Sequence, residues 1–244
     1  MQLRSDLTIP YVVNSNSIPF VDSPVPGVQR RMLDRIGDEV ARATTIVKYA
    51  PFAKFSRHTH SGGEEFVVLD GVFSDEISGD HGRMSYCRHG IGTQHEPWTG
   101  EKGALLFVKL RQMNDRTEAP ITFVDTLISK NWKEYDDKKR QRLDLFSSEK
   151  TGECVWMEAW PAELTSDDWI VREGGEEIYL VEGDMSFASV DETDDENNRN
   201  ECTEGFWIRR PIHWAGRRFR VSTKAGCRFF IKSGHLAMNL DSIQ

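Results

Sequence analysis

Residues 57–71 read RHTHSGGEEFVVLDG, and the meaning of this run decides the fold. Two histidines stand two residues apart, a glycine pair follows, and a carboxylate opens an apolar run that closes on Gly71. Strand side chains alternate between faces, so His58 and His60 point to one side, and Glu64, Phe66 and Val68 share a face of the following strand. Ser61, Gly62 and Gly63 suit a tight reversal between the two, because glycine reaches positive φ without steric cost. In a barrel wall, such a hairpin would turn both imidazoles and the Glu64 carboxylate inward. Phe66 and Val68 would then wall the space deeper in, with Trp98 as a further candidate wall.

The run returns later in the chain. GGEEFVVLDG at 62–71 is echoed by GGEEIYLVEG at 174–183, and LLFVKL at 105–110 by RFFIKS at 228–233, in the same order. One long duplication, rather than a short fixed period, means two modules of one fold. The rest of the pattern is β: short runs rich in Val, Ile, Thr, Phe and Tyr, broken by Gly, Pro, Asp and Ser, as in an antiparallel sandwich or barrel. Helical signals are confined to a turn near 29–36 and to the charged stretch SKNWKEYDDKKRQRLDL at 129–145. That stretch reads as the connection between modules, either a solvated linker or one surface helix. The expected division is an N-terminal module over 1–128, a linker over 129–150 and a C-terminal module over 151–244.

Composition narrows the functional classes. A net charge of −8 argues against a nucleic-acid partner as the default. No apolar run approaches the ~20 residues of a membrane-spanning helix. The opening residues MQLRSDLTIPYVV lack a basic region followed by an apolar stretch, so a cytoplasmic location is expected. Cys87, Cys154, Cys202 and Cys227 are scattered, which fits reduced buried thiols better than a disulfide framework or a zinc knuckle. The acidic run DETDDENNRNE at 191–201 reads as a mobile insertion; it lacks the spaced glycine and closing glutamate of a calcium loop.

Five of the seven histidines fall between 58 and 95. His95, at the end of HGIGTQH, supplies a third imidazole beside His58, His60 and Glu64. Three imidazoles and a carboxylate make a borderline donor set that suits one divalent zinc, iron, manganese or nickel ion. His81 and His89 sit in polar turn sequence and are expected at the solvent surface. Cys87 is expected to be a structural thiol.

The spacing His58-x-His60-x-x-x-Glu64, then Gly71, then Gly92-x-x-His95 resembles the cupin motifs, with Gly90 where a proline is usual. YAPFAKFSRHTHSGGEEFVVLDGVFSDE and LLFVKLRQM are similar to the ChrR-type cupin branch, over most of 26–113. The resemblance implies an all-β fold of two tandem cupin (double-stranded β-helix, jelly-roll) barrels. It also implies one divalent metal held by His58, His60, Glu64 and His95. In the second module the same alignment puts Ile170 and Arg172 at the two histidine positions and Gly216 near that of His95; only Glu176 survives, so no metal is expected there. The basic segment RRPIHWAGRRFRV at 209–221 reads as intramolecular charge balance.

Three functions stay open. One is a metal-dependent, oxygen-using enzyme acting on a small molecule, as in the acetylacetone-cleaving cupins that this branch resembles. Another is a regulatory protein related to the ChrR anti-sigma factors. A sigma factor is not the expected partner, since no cysteine or histidine precedes His58 to build the helical zinc domain that grips it. The third is a metal-binding protein without turnover. A homodimer through a sheet edge is the generic expectation for an open cupin sheet.

Overall fold

The computed structural model describes residues 1–38, 40–113, 121–191 and 199–237. Most of the acidic run lies outside them. The described chain divides into two compact units: Met1–Ser5 with Ile18–Lys130, and Asp6–Ser17 with residues 131–237.

The first unit holds β1 (Gln2–Leu3), β3 (Val21–Asp22), β4 (Val28–Ile36), β5 (Arg42–Tyr49), β6 (His58–Thr59), β7 (Glu64–Asp75), β8 (Gly79–His81), β9 (Ser85–His89), β10 (Gln94–His95), β11 (Trp98–Leu110) and β12 (Ile121–Asp125). Its main sheet runs β1-β4-β5-β11-β7-β9-β12, while β6 and β10 form a separate pair. The second unit holds β2 (Tyr11–Asn14), β13 (Lys133–Glu134), β14 (Gln141–Ser147), β15 (Cys154–Trp160), β16 (Leu164–Ile170), β17 (Glu176–Ser189), β18 (Asn200–Thr203), β19 (Phe206–Arg210), β20 (Arg218–Thr223) and β21 (Cys227–Ser233). Its sheet order is β13-β14-β15-β21-β17-β19-β2.

The duplication is exact in register. Glu64 faces Leu110 across β7 and β11, and Glu176 faces Ser233 across β17 and β21. The glycine closing each decapeptide has one cause in both units: Gly71 and Gly183 adopt positive φ, and a Cβ on either would overlap a carbonyl oxygen, of Gly103 and Gly226 respectively. Phe66, Val68, Phe73, Cys87, Leu106 and Val108 form part of the first core, and Trp156, Trp160, Trp169, Phe187 and Phe229 part of the second. Each such buried side chain contributes about 1.5–3 kcal/mol through removal of apolar surface from water.

Three expectations change. The supposed turn near 29–36 is strand β4. The charged stretch at 129–145 contains no helix; it supplies β13 and most of β14, which joins the second sheet. Its charges hid a period of two, since the buried Leu143 and Leu145 alternate with Arg142 and the exposed Asp144. The N-terminal module is also not a continuous block, because β2 pairs with β19 at the far edge of the second sheet. No helix among the described residues is long and apolar enough to cross a membrane.

Candidate metal centre

β6 and β7 are not the hairpin that the Ser61–Gly63 reversal suggests. β6 instead pairs with β10, with His58 opposite His95, and β7 pairs with β9 and β11. This cross-pairing, rather than a local turn, brings His95 to the HxH segment. The ring centroids of His58, His60 and His95 lie 4.7–4.9 Å apart, and their candidate ligand atoms all lie within 4.8 Å of one another.

Glu64 completes the group. Its Oε2 lies 3.7 Å from His60 Nε2 and 4.0 Å from His95 Nε2. Neither Nε2 has a hydrogen-bond partner, although both are buried. Two buried, unpartnered nitrogens aimed near one carboxylate oxygen are costly unless a cation or solvent joins them. His58 places Nδ1 at 3.0 Å from the Ser56 carbonyl. A carbonyl only accepts, so Nδ1 carries the proton and Nε2 keeps its lone pair, as a metal-binding imidazole requires.

The electrostatics suit the same use. Burial pushes the pKa of His60 down to about 4, which keeps its ring neutral. Burial alone would raise Glu64, but the imidazoles of His60, His95, His89 and His58 around it hold its carboxyl below its ordinary value. A neutral His60 ring beside a carboxylate held ionised suits a divalent cation. The residues present therefore fit a metal.

A cavity of about 590 Å³ opens onto this group. Its apolar wall includes Val47, Tyr49, Phe55, Phe73, Val108 and Leu110. The residues named from sequence as walls lie elsewhere. Phe66 and Val68 are buried within the core cluster, and Trp98 borders a separate cleft with Lys54, Glu76, Glu96 and Pro97. A bulge in β7 between Val68 and Asp70 moves the inward-facing set beyond it from even to odd positions. Phe73 takes the wall position as a result.

The same bulge carries in a residue that the sequence reading missed. Asp75 is fully buried, with Oδ2 3.3 Å from His95 Nδ1, 3.5 Å from His89 Nε2 and 3.7 Å from His81 Nε2. Burial opposes its ionisation, but hydrogen bonds from His81, His89 and His95 overcome this and hold its carboxyl far below the usual range. His81 and His89 are therefore not at the surface; both are fully buried. His89 is the register partner of Glu64 across β7 and β9, so the two side chains come to the same face. The polar residues around it belong to strand, not turn. Cys87 lies in the core, and burial, with Asp75 and Glu64 nearby, pushes its thiol up, as a structural thiol requires.

The second unit repeats the frame with other chemistry. The second carboxylate of each GGEE meets an arginine: Glu65 with Arg88 at 3.5 Å, and Glu177 with Arg209 at 3.2 Å. The first carboxylate differs. Glu64 faces His89, whereas Glu176 faces and ion-pairs with Arg210. The guanidinium of Arg210 lies 3.7 Å above the Trp169 ring, a cation–π contact. Ile170 is half exposed, and Arg172 stacks over Trp156. Charge balance in the basic segment thus comes from β17 for Arg209 and Arg210. Among the described residues, both groups able to hold a metal lie in the first unit.

Comparison with known proteins agrees with this fold. Residues 9–114 match the family described as the ChrR Cupin-like domain. The comparison with curated proteins yields no match. Among solved structures, a candidate dioxygenase of Nostoc punctiforme is similar with a TM-score of 0.70 at 15% identity, covering 96% of this chain and 85% of that one. A candidate glyoxylate-induced protein of Pseudomonas aeruginosa gives 0.72 at 14% identity, covering 95% and 90%. An Escherichia coli pirin in complex with nickel(II) gives 0.64 at 11%, covering 92% and 98%. At these identities the likeness is one of fold. Residues 9–114 thus match the ChrR Cupin-like domain, and the two sheets in one register share the cupin fold of these neighbours.

Proposed function

We propose that the first unit binds one divalent transition metal through His58, His60, Glu64 and His95 and acts on a small molecule held in the adjoining cavity, in an oxygen-dependent reaction. The observation that carries this reading is the pair of buried, unpartnered nitrogens, His60 Nε2 and His95 Nε2, set 3.7 and 4.0 Å from Glu64 Oε2.

A metal bound there would polarise a coordinated oxygen atom or exchange an electron with it. The chain's own residues supply the rest. Glu64 contributes negative charge at neutral pH. The ring of His60 stays neutral, which keeps a lone pair available. Tyr49, Phe55 and Phe73 give the cavity an aromatic side that excludes water and orients a flat, partly apolar ligand. Burial, with Glu64 nearby, pushes the Tyr49 hydroxyl well above its ordinary pKa, so it stays protonated and able to donate a hydrogen bond. The neighbour called a candidate dioxygenase supports oxygen chemistry as the first reaction class to try.

The test is elemental analysis of untagged protein purified without chelators, followed by oxygen uptake with diketones and small organic acids. Bound iron with substrate-dependent oxygen consumption is the expected result. Stoichiometric zinc with no oxygen uptake would overturn the oxygenase reading in favour of a sensor, structural or hydrolytic centre.

A further inference from the structure

Asp75, His89 and His95 form a second group of donors behind the first. We infer that they constitute a second cation position, for a divalent first-row transition metal, that shares the His95 ring with the first. The two positions would use opposite nitrogens of that ring. His95 Nε2 faces Glu64, and His95 Nδ1 faces Asp75.

The distances point to coordination. Asp75 Oδ2 lies 3.3 Å from His95 Nδ1 and 3.5 Å from His89 Nε2, and the three ligand atoms all lie within 4.8 Å of one another. A charge-assisted N–H···O⁻ bond settles at about 2.7–2.9 Å. The edge of a tetrahedron built on metal bonds of about 2.0–2.1 Å is about 3.3–3.4 Å. The two separations from Asp75 Oδ2 are long for the first and close to the second.

Asp75 is built to present that oxygen. Its Oδ1 accepts from the backbone N–H groups of Ile77 and Ser78, at 2.8 and 2.6 Å, and from Ser78 Oγ at 2.9 Å. Oδ2 accepts from Ser78 Oγ at 2.9 Å and also faces the imidazoles of His81, His89 and His95; His81 Nε2 in turn lies 2.8 Å from Ser78 Oγ. The buried Nδ1 atoms of His81 and His89 have no hydrogen-bond partner. His81 and His89 thus each meet Asp75 through Nε2 alone, and their second nitrogen is left without a partner. His89 Nε2 also lies 3.3 Å from Cys87 Sγ, which places a thiol at the edge of the group.

The charges close as well. Binding forms bonds from the lone pairs of Asp75 Oδ2, His89 Nε2 and His95 Nδ1, and His95 releases its Nδ1 proton to solvent. The Asp75 carboxylate and the resulting imidazolate together neutralise a dipositive ion. No net charge is then left in a site whose three side chains are almost wholly buried. No electron is transferred.

The test titrates metal-free, full-length protein with cobalt(II), with stoichiometry read by equilibrium dialysis and elemental analysis and geometry by visible absorption. Two equivalents are expected in the wild type. The second should quench the cobalt paramagnetic resonance signal, because the ions couple through the shared ring. His89→Gln and Asp75→Asn should each reduce the total to one equivalent, while a His58→Ala/His60→Ala variant should lose the other equivalent. Circular dichroism checks that each variant folds, and the wild-type stoichiometry needs no variant. A single equivalent in the wild type, lost on His58→Ala, would overturn the second position and leave the first standing. So would two equivalents retained in both His89→Gln and Asp75→Asn. No bound cobalt at all would overturn both positions.

Discussion

Glu64 and His89 stand directly opposite each other across β7 and β9, and in the second unit the same register sets Glu176 opposite Arg210. At this position imidazole gives way to guanidinium, beside the loss of the three other histidine positions, and a group of metal donors gives way to a closed ion pair. A guanidinium holds its charge permanently and cannot coordinate a cation, so the second barrel satisfies its inward carboxylate internally.

The metal site makes the first prediction. His58→Ala and His95→Ala should each lower bound metal by about tenfold or more at a fixed free-metal concentration, because each removes a donor from the first group. Glu176→Gln should leave metal content unchanged. Mass spectrometry of dialysed protein checks both.

Metal-free protein should lose stability as the pH falls from 6.5 towards about 4. The folded state holds His60 neutral down to about 4, whereas the unfolded chain takes up that proton near the ordinary value of 6.5. The unfolded state therefore binds more protons through this window, and stability rises with pH across it. The contribution is about 3 kcal/mol. Urea denaturation across the window should show a flatter profile in His60→Gln.

Arg210→Ala should destabilise the second unit by about 3–5 kcal/mol, since it leaves the buried Glu176 carboxylate unpaired. The double variant Glu176→Gln/Arg210→Met removes both charges and should recover most of that loss. Denaturant midpoints of the two single variants, the double variant and the wild type give the coupling directly.

Gly71→Ala and Gly183→Ala should each cost more than about 1 kcal/mol, from positive φ and from overlap with the carbonyl of Gly103 or Gly226. Gly216→Ala has the same sign of φ but meets nothing within 4 Å, so it reports the backbone contribution alone. Thermal unfolding of the three variants separates strain from overlap.

The sequence by itself determined the β class, the duplication, the loss of donors in the second module and the candidacy of His58, His60, Glu64 and His95. Each rests on local features: residue type, spacing and the two-residue period of a strand. Only the tertiary structure decided the rest. Asp75 and Phe73 reach the interior because a bulge shifts the parity of β7, and a bulge is a relation between two strands that one strand's pattern does not carry. His89 and Arg210 acquire their roles from cross-strand register with Glu64 and Glu176, and His95 meets His58 because β10 pairs with β6. The N-terminal strand β2 completes the second sheet for a similar reason. These pairings join residues up to about 200 positions apart, so they are fixed by how the whole chain closes its sheets and not by any window of its sequence.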